Sequence, residues 1–329
     1  MVGNRSQLAQ HHPDWLLHDN NGRLVTPWRN YGEQRVWGYR DEETYVLDSS
    51  NPEAFAYLRT VFRTLRAWGA QMFKTDFMYW GLQNSLHVRR HTPGKTSVEY
   101  FRDVLKMIRA EIGEEAYWLG CIAPYLPFVG FADGMRIAGD VSASWNGSPG
   151  TQNMLNETAG SQHFNNVFWH NDPDVLLIRD FHTELSEDEV ISLAVWQSIM
   201  GGTVATSDPL HEVAPARRDL WRFVQPSSDG GVASIPLLTD ASRPLVALRR
   251  TTAGDYVVAV LNRDDHRLRD RLSLSELGIY TKKCVYLRTP TANQRIGTTD
   301  ALEIDLRPHA LAVFHLSDSD VEPTGPMVR

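Results

Sequence analysis

The sequence has 329 residues, of which 42% are hydrophobic and 22% are charged, a composition typical of a globular protein with one large and one smaller domain. The formal net charge is −7 and no long basic run occurs, which argues against nucleic acid and anionic membrane surfaces as partners. No apolar run is long enough to span a membrane, and the first fifteen residues lack the apolar core of a signal peptide, so a cytoplasmic location is expected.

Helix-like and strand-like segments alternate between about residue 50 and residue 224. Asn51 is a predicted N-cap followed by Pro52, apolar residues then recur at helical spacing, and Gly69 ends the run. Capping boxes at 96–99 and 186–189 open two further helices, and another is predicted at 215–224. The predicted strands are 71–76, 116–121, 134–140, 175–179 and 203–206. This alternation predicts a parallel sheet wrapped by helices, either a (β/α) barrel or a doubly wound sheet.

After Pro226 the pattern changes to short strands separated by Gly, Pro, Asp and Thr turns. The predicted strands are 245–250, 256–262, 283–287, 302–306 and 310–316. They indicate a small antiparallel β-domain. The domain boundary is therefore expected within 226–240, with a catalytic domain at 1–230 and a β-sandwich domain at 231–329.

The segment MFKTDFMYWG, residues 72–81, predicts a short buried strand that carries Lys74 and Asp76 on the same side. Charges in such a strand are costly unless they are paired or used. Asp76 ends this strand, and Asp140 ends a strand predicted two strand–helix units later. In a parallel barrel the functional residues lie at the C-terminal ends of strands, and two facing carboxylates are what a retaining glycosidase needs. Lys74 could keep Asp76 ionised or hold substrate hydroxyls.

The residues alone leave the role of these carboxylates open. Aspartates at strand ends often cap the next helix or bind loop backbone, which is a structural role. Asp172, Asp174 and Asp208 also lie near predicted strand ends, so residue type and position do not separate them from Asp76 and Asp140.

No metal site and no cofactor are expected. His11, His12 and His18 lie in a polar segment without companion ligands, and Cys121 and Cys284 belong to no CxxC pair. The chain contains no GxSxG, GxGxxG or P-loop pattern, so neither a nucleophile elbow nor a nucleotide site is indicated.

Five segments of the sequence together resemble bacterial α-galactosidases of glycoside hydrolase family 36, in the clan of melibiase-like (β/α)8 barrels. The segments are SQLAQHHPDWLL, YVLDSSNPEAFAYL, WGAQMFKTDFMYWG, YWLGCIAPYLPFVGFADGMRIAGDV and NVFWHNDPDVLLIRD. They occur in the family's order and cover roughly residues 5–225. The FKTDF element combined with the element that runs from Cys121 to DGMRIAGD is the specific part of the resemblance.

The resemblance implies roles for five residues. Asp76 matches the nucleophile at the end of the fourth barrel strand, and Asp140 matches the acid/base at the end of the sixth. Lys74 and Arg136 match residues that hold galactose hydroxyls and the nearby carboxylate. Cys121 matches a position on the fifth strand that lines the sugar site.

The sequence also departs from the family pattern. Its first segment matches a stretch that follows the third barrel strand in the family, so the family's N-terminal β-domain and first three barrel strands are expected to be missing. Ile122 replaces the small residue usual after the sugar-lining cysteine, Gly139 replaces the Pro usual before the acid/base, and Pro209 stands where an acidic residue is common. Asp172 and Asp174, in the NDPD segment, are expected to be structural.

The resemblance thus implies an incomplete (β/α)8 barrel followed by a C-terminal antiparallel β-sandwich. The implied activity is that of a retaining α-galactosidase for α-1,6-galactosides of the melibiose or raffinose type, working without metal or cofactor on oligosaccharides with a terminal α-galactose. The alternatives are an enzyme for another α-linked sugar, such as α-N-acetylgalactosamine, and an inactive fragment or partner subunit. A second copy of the chain or a complementing N-terminal chain is the protein partner considered.

Overall fold

The structure is a computed structural model that describes residues 1–29, 42–147, 149–224, 231–238, 240 and 243–327. The chain forms two compact units, Met1–Met135 and Arg136–Arg329.

Three parallel strands form the central sheet of the first unit, in the order β5, β7, β8. Two small antiparallel sheets, β1–β4–β3 and β2–β6, accompany it. The strands are β1 Val2–Gly3, β2 His18–Asp19, β3 Trp28–Arg29, β4 Glu43–Tyr45, β5 Met72–Thr75, β6 Val88–Arg89, β7 Tyr117–Gly120 and β8 Gly134–Arg136, whose last residue begins the second unit. The helices are α1 Gln7–His11, α2 Pro52–Ala67, α3 Ser97–Ile112 and α4 Tyr125–Phe128.

The helix ends follow the capping signals in the sequence. Asn51 accepts hydrogen bonds from the first turn of α2, and Pro52 is its first residue. The Thr96–Glu99 capping box opens α3, and Gly113 ends it in a backbone conformation with φ 79° that disfavours residues with a Cβ. The predicted helices at these positions are therefore confirmed.

An aromatic cluster packs α3 and α4 onto the sheet. Trp118 and Phe128 are fully buried with their ring centroids 5.5 Å apart, and Phe101 of α3 lies 5.7 Å from Phe128. Gly120 lies beside this cluster: a Cβ at this position would come within 2.9 Å of the end of the Met135 side chain and 3.2 Å of the Phe128 ring. A larger residue at position 120 would therefore have to displace the flexible end of Met135.

Strand β5 differs from the buried strand that the sequence predicts. Phe73 is buried, but Met72 is 56% exposed, and Lys74 and Asp76 are also exposed. Within the described residues β5 pairs only with β7. The face that carries the charges is open to water, so the desolvation cost that made these charges unusual does not arise.

The second unit contains short parallel strands, helices and an antiparallel β-region. Its helices are α5 Thr151–Gly160, α6 Glu187–Met200 and α7 Pro215–Phe223. Its first strands are β9 His170–Asp172, β10 Val175–Leu176 and β11 Ala205–Thr206, and β10 pairs with β11 in parallel. The later strands are β12 Leu245–Arg250, β13 Tyr256–Leu261, β14 Leu268–Ser273, β15 Lys283–Arg288, β16 Asn293–Thr299, β17 Ala301–Leu306 and β18 Leu311–Ser317.

Helix α6 is the centre of the core of this unit. Almost every residue from Glu189 to Met200 is buried, and the helix contacts α5, α7 and the strands β12, β13 and β18. A helix that is apolar on all sides needs neighbours on all sides. The predicted capping box is present, since Ser186 and Glu189 bond reciprocally, and Gly201 ends the helix with φ 71°.

The antiparallel strands form two sheets with a shared core. The five-stranded sheet has the order β12–β13–β18–β15–β16, and β14 pairs with β17 in a second sheet. Val258 of β13 lies opposite Phe314 of β18, and both belong to the same apolar cluster as Leu272 and Leu302 of the second sheet. This is the antiparallel β-region that the sequence predicts, with apolar faces of two sheets in contact.

Several strand predictions were wrong in detail. The strand predicted at 134–140 ends at Arg136, and the strand predicted at 175–179 has only two residues. The strand predicted at 203–206 is limited to Ala205–Thr206. The strands that were not predicted are β1, β2, β3, β4, β6, β9, β14 and β16. β14 and β16 read LRDRLS and NQRIGTT, and their many exposed polar residues hide the alternating pattern by which strands are recognised.

The described strands form open sheets and no closed barrel. The predicted domain boundary at 230/231 adjoins residues 225–230, which lie outside the described residues, and it stays a prediction. No described helix combines the length and the apolar character that crossing a membrane requires.

Candidate active site

Asp76 follows directly after β5, at its C-terminal end. Because Thr75 pairs with Gly120 in parallel register, Asp76 and Cys121 are the next residues of the two strands at the same edge of the sheet. The Asp76 side chain is exposed, and its Oδ1 accepts a hydrogen bond from the N–H of Phe77 at 2.7 Å. This position presents a carboxylate to solvent at the C-terminal end of a parallel strand.

Lys74 and Cys121 lie close to Asp76 in the sheet but differ in exposure. Lys74 is exposed on the same face of β5, and no ion pair joins it to Asp76 within the described structure. Cys121 is only 2% exposed, and its N–H donates to the carbonyl oxygen of Thr75 at 2.9 Å. Lys74 is therefore accessible to a ligand, whereas Cys121 is packed inside the first unit.

The backbone turns sharply after both strands. Phe77 has φ 56° and Ile122 has φ 41°, values that cost residues other than glycine about 1–3 kcal/mol. The two turns are joined by a hydrogen bond from the Tyr79 N–H to the Ile122 carbonyl oxygen at 2.6 Å. Ile122 is thus held in a strained conformation beside the strand end that carries Asp76.

A largely apolar cavity of about 160 Å³ lies beside Asp76 within the first unit. It is bounded by α2, α3, the segment 46–49 and residues 76–81, and Asp76 is the only carboxylate among the described residues that line it. The lining includes Phe62, Trp80 and Phe101. Most of this wall offers apolar contact and cannot donate hydrogen bonds to sugar hydroxyls.

Arg136, in the second unit, contacts three carboxylates. Its Nη1 donates to Asp140 Oδ1 at 3.1 Å, its Nε lies 3.5 Å from Asp172 Oδ2, and its Nη2 donates to Asp174 Oδ1. The Arg136 side chain is 7% exposed, and of these three carboxylates Asp140 is exposed at 79%, Asp172 at 5% and Asp174 at 13%. A planar guanidinium with five donors suits this arrangement.

Asp140 does not end a strand, contrary to the prediction. It lies in a loop four residues after β8 ends, and Gly139 precedes it. The Gly139 N–H donates to Oε2 of Glu157 in α5 at 2.8 Å, a bond that a proline at this position could not make. This hydrogen bond ties the loop to α5.

Asp172 and Asp174 support this loop. Asp174 Oδ2 accepts from the Val141 N–H at 2.8 Å, and Asp172 Oδ1 accepts from the Asp174 N–H at 3.0 Å. The sequence indicates a structural role for the NDPD segment but not that its carboxylates meet Arg136. The sequence signal was that Asp140, Asp172 and Asp174 lie near the ends of predicted strands in a chain whose 134–140 segment also contains Arg136.

Asp208 has a different environment from Asp140. Its Oδ2 accepts from the N–H groups of Ile178 and Arg179 at 2.6 and 3.0 Å, and its Oδ1 accepts from Arg179 Nη1 at 3.2 Å. The Asp208 side chain is fully buried. This carboxylate therefore accepts the hydrogen bonds of the N–H donors in the segment that follows β10.

No group of three or more His, Cys, Asp or Glu side chains that could hold a metal ion occurs in the described part of the chain. His12, one of the three N-terminal histidines, is stacked on Trp15 with ring centroids 3.8 Å apart.

No protein-family model matches the chain. Among solved structures, an α-galactosidase from Thermus thermophilus bound to p-nitrophenyl α-D-galactopyranoside matches with 31% identity and a TM-score of 0.55 over 66% of this chain and 43% of that chain. A GH27 β-L-arabinopyranosidase from Geobacillus stearothermophilus matches with 19% identity and a TM-score of 0.68 over 94% and 68%. α-Galactosidase I from Mortierella vinacea matches with 14% identity and a TM-score of 0.64 over 82% and 73%.

The chain spans less than half the length of the Thermus enzyme, and the two more distant matches show the fold alone. These neighbours are (β/α)8 glycosidases with a C-terminal β-domain. They do not single out glycoside hydrolase family 36, because one of them is a family 27 enzyme. The chain therefore shares its fold with glycoside hydrolases of the α-galactosidase type.

Proposed function

We propose that this chain carries the catalytic carboxylates of a retaining α-galactosidase that acts on oligosaccharides with a terminal α-galactose. The observation that carries the proposal is the 31% identity with the Thermus α-galactosidase, whose structures contain p-nitrophenyl α-D-galactopyranoside and stachyose. Melibiose and raffinose-type α-1,6-galactosides are the proposed substrates.

Asp76 is the proposed nucleophile and Asp140 the proposed acid/base. A carboxylate oxygen of Asp76 attacks the anomeric carbon while the bond to the leaving group breaks, and Asp140 gives its proton to the leaving oxygen. Asp140 then takes a proton from water, whose oxygen bonds to the anomeric carbon and releases Asp76. The exposure of both carboxylates supports these roles, because each can be reached by a ligand.

Lys74, Arg136 and Cys121 are the proposed substrate-binding residues, and their exposure suits that role to different degrees. Lys74 is exposed on the face that carries Asp76 and is suited to bind sugar hydroxyls. Arg136 is buried and occupied by three carboxylates, which supports holding Asp140 more than direct sugar contact. Cys121 is buried, so a sugar-lining role would require its sulfur to be uncovered. The mechanism uses no metal and no cofactor.

The test is hydrolysis of p-nitrophenyl α-D-galactopyranoside and melibiose by the chain and by Asp76→Asn, Asp140→Asn and Asp219→Asn. Asp76→Asn should abolish hydrolysis of both. Asp140→Asn should lower kcat/KM for melibiose much more than for the nitrophenyl substrate, because nitrophenolate leaves without a proton. Asp219, half-exposed on α7 beside Arg222, provides the matched control and should leave both rates unchanged.

Two further measurements sharpen this test. Proton NMR of the first-formed galactose should show the α-anomer if hydrolysis retains configuration, and the β-anomer would contradict the nucleophile role of Asp76. Nitrophenyl α-N-acetylgalactosaminide and β-L-arabinopyranoside, assayed in parallel, decide whether another sugar is preferred. Hydrolysis that survives in Asp76→Asn would refute the assignment.

The alternative is a catalytically inactive subunit or fragment that works with a complementing chain. One observation favours it: the sheets of the described residues stay open, and β5 pairs only with β7 among them. In that case the folded chain alone would hydrolyse none of these glycosides, and adding the complementing chain would restore hydrolysis that depends on Asp76.

A further inference from the structure

The loop that carries Asp140 is held by side chains outside the loop. The chain leaves β8 at Arg136 and passes through Ile137 to Val141. Arg136 holds the Asp140 carboxylate at 3.1 Å. Because Asp140 is 79% exposed, little packing restrains its side chain, and this hydrogen bond fixes its direction.

Asp174 binds this loop on both sides of Asp140. Its Oδ1 accepts from Nη2 of Arg136, and its Oδ2 accepts from the Val141 N–H at 2.8 Å. One carboxylate therefore contacts the side chain that holds Asp140 and the backbone directly after it. The Asp174 side chain is 13% exposed, so these hydrogen bonds have little competition from water.

The backbone at Asp174 supports a dedicated role. Asp174 has φ 78°, in the left-handed region, and its N–H is held by Asp172 Oδ1 at 3.0 Å. Such conformations persist where surrounding contacts over-determine them, and they cluster at functional sites. The turn aims both oxygens of Asp174 at the loop.

We propose that Asp174 is a positioning residue for Asp140: it orients Arg136 and anchors Val141 so that the Asp140 carboxylate is held where it can exchange a proton with a substrate. The catalytic part of this inference rests on the proposed function. The anchoring of the loop by Asp174 is a property of the fold and does not depend on it. Glu157, which accepts a hydrogen bond from the Gly139 N–H, is a second anchor of the loop.

Two substitutions at this position separate the anchoring from the charge. Asp174→Gly removes both oxygens and leaves a residue for which φ 78° is unstrained. Asp174→Asn tolerates the same backbone and keeps an oxygen for Val141 but lacks the negative charge that faces Arg136. If the glycine variant fails to fold, the asparagine variant still tests the contribution of the charge.

The first measurement is independent of activity: hydrogen exchange of the Val141 amide. We expect exchange at least about tenfold faster in Asp174→Gly and close to the unchanged chain in Asp174→Asn. The Ile178 amide, which binds Asp208, is the internal control and should keep its protection in both variants. Unchanged Val141 exchange in Asp174→Gly would overturn the proposal.

The second measurement is the dependence of kcat/KM on the leaving group. A misplaced general acid costs about 100-fold, so Asp174→Gly should lose about that factor on melibiose and less than about tenfold on p-nitrophenyl galactoside. Combined with Asp140→Asn, it should cause little further loss, because both changes remove the same proton transfer. Equal losses on the two substrates, or fully additive losses, would show a merely structural role and refute the proposal.

The two measurements also separate this inference from the proposed function. If the unchanged chain hydrolyses no glycoside while Asp174→Gly releases the Val141 amide, the anchoring of the Asp140 loop stands and the glycosidase assignment fails. If hydrolysis proceeds with the expected Asp76 dependence but Val141 keeps its protection, the glycosidase assignment stands and the role of Asp174 falls.

Discussion

Replacing Asp208 by alanine should unfold the second unit far more readily than the same change at Asp140. The Asp208 side chain is fully buried and accepts three hydrogen bonds, two from the backbone N–H groups of Ile178 and Arg179. Ile178 is itself fully buried, so water cannot replace the lost acceptor without local opening. The structure therefore predicts a large stability cost without any catalytic role.

The size of this stability loss follows from the N–H groups that lose the Asp208 carboxylate as their acceptor. A buried N–H left without an acceptor costs about 1–3 kcal/mol, which applies in full to Ile178. The Arg179 N–H is partly buried and its guanidinium is 20% exposed, so both can turn to water and contribute less. We expect a loss of about 3 kcal/mol in the free energy of unfolding.

Asp140→Ala is the matched comparison. Asp140 is 79% exposed and has one cationic partner, Arg136. Exposed ion pairs contribute about 0–1 kcal/mol, so this variant should lose no more than about 1 kcal/mol. Two carboxylates that residue type and position alone do not separate should thus differ strongly in their contribution to stability.

Urea denaturation followed by both tryptophan fluorescence and far-UV circular dichroism is the assay, because a chain with two compact units need not unfold in a single transition. A loss below about 1 kcal/mol in Asp208→Ala would refute the assignment of Asp208 as a structural acceptor. So would a stable Asp208→Ala protein that has lost hydrolysis, because that pattern belongs to a functional residue.

Three further predictions concern the second unit. Trp196→Ala, in the centre of α6 with the ring fully buried, should cost about 3–5 kcal/mol in denaturant unfolding, whereas a loss below about 1 kcal/mol would mean that the core is packed differently. Burial lowers the pKa of His315 despite its hydrogen bond with Asp255, so the unfolded state binds the proton at a higher pH than the folded state does. The free energy of unfolding should therefore fall as the pH drops below about 6.5. His315→Gln should remove this dependence of the free energy of unfolding on pH, measured from about pH 7 to about pH 5. Arg295 holds the pKa of Asp320 well below its usual range, so this carboxylate stabilises the fold above about pH 4 and loses its effect in more acidic solution. Asp320→Asn should therefore make the C-terminal segment more sensitive to limited proteolysis at about pH 7. An unchanged cleavage rate would contradict this stabilising role of Asp320.

The sequence determined the elements whose signals are local. Asn51, the Thr96–Glu99 box and Gly113 are short-range signals, and they predicted α2 and α3 to within a residue or two. The apolar repeat between two capping signals did the same for α6. The switch from alternating helices and strands to short antiparallel strands was also visible, because strand and helix periods differ along the chain itself.

Only the tertiary structure decided what the carboxylates do. Asp140, Asp174 and Asp208 are all aspartates that lie within two residues of an end of a predicted strand. In the structure Asp140 is exposed. Asp174 accepts hydrogen bonds from Arg136 and from the backbone of Val141, and Asp208 is buried among N–H donors. These differences arise from groups that meet across tens of residues of chain, and no local period or spacing records them.

The same reason explains strand β5. The sequence contained Lys74 and Asp76 in an apolar segment and implied that burial would make them costly. Whether that cost exists depends on which neighbours cover the strand, and the described structure leaves this face of β5 open to water. Residue pattern along the chain determines which segment becomes a strand, whereas packing between distant segments determines which of its faces is buried and which side chains a ligand can reach.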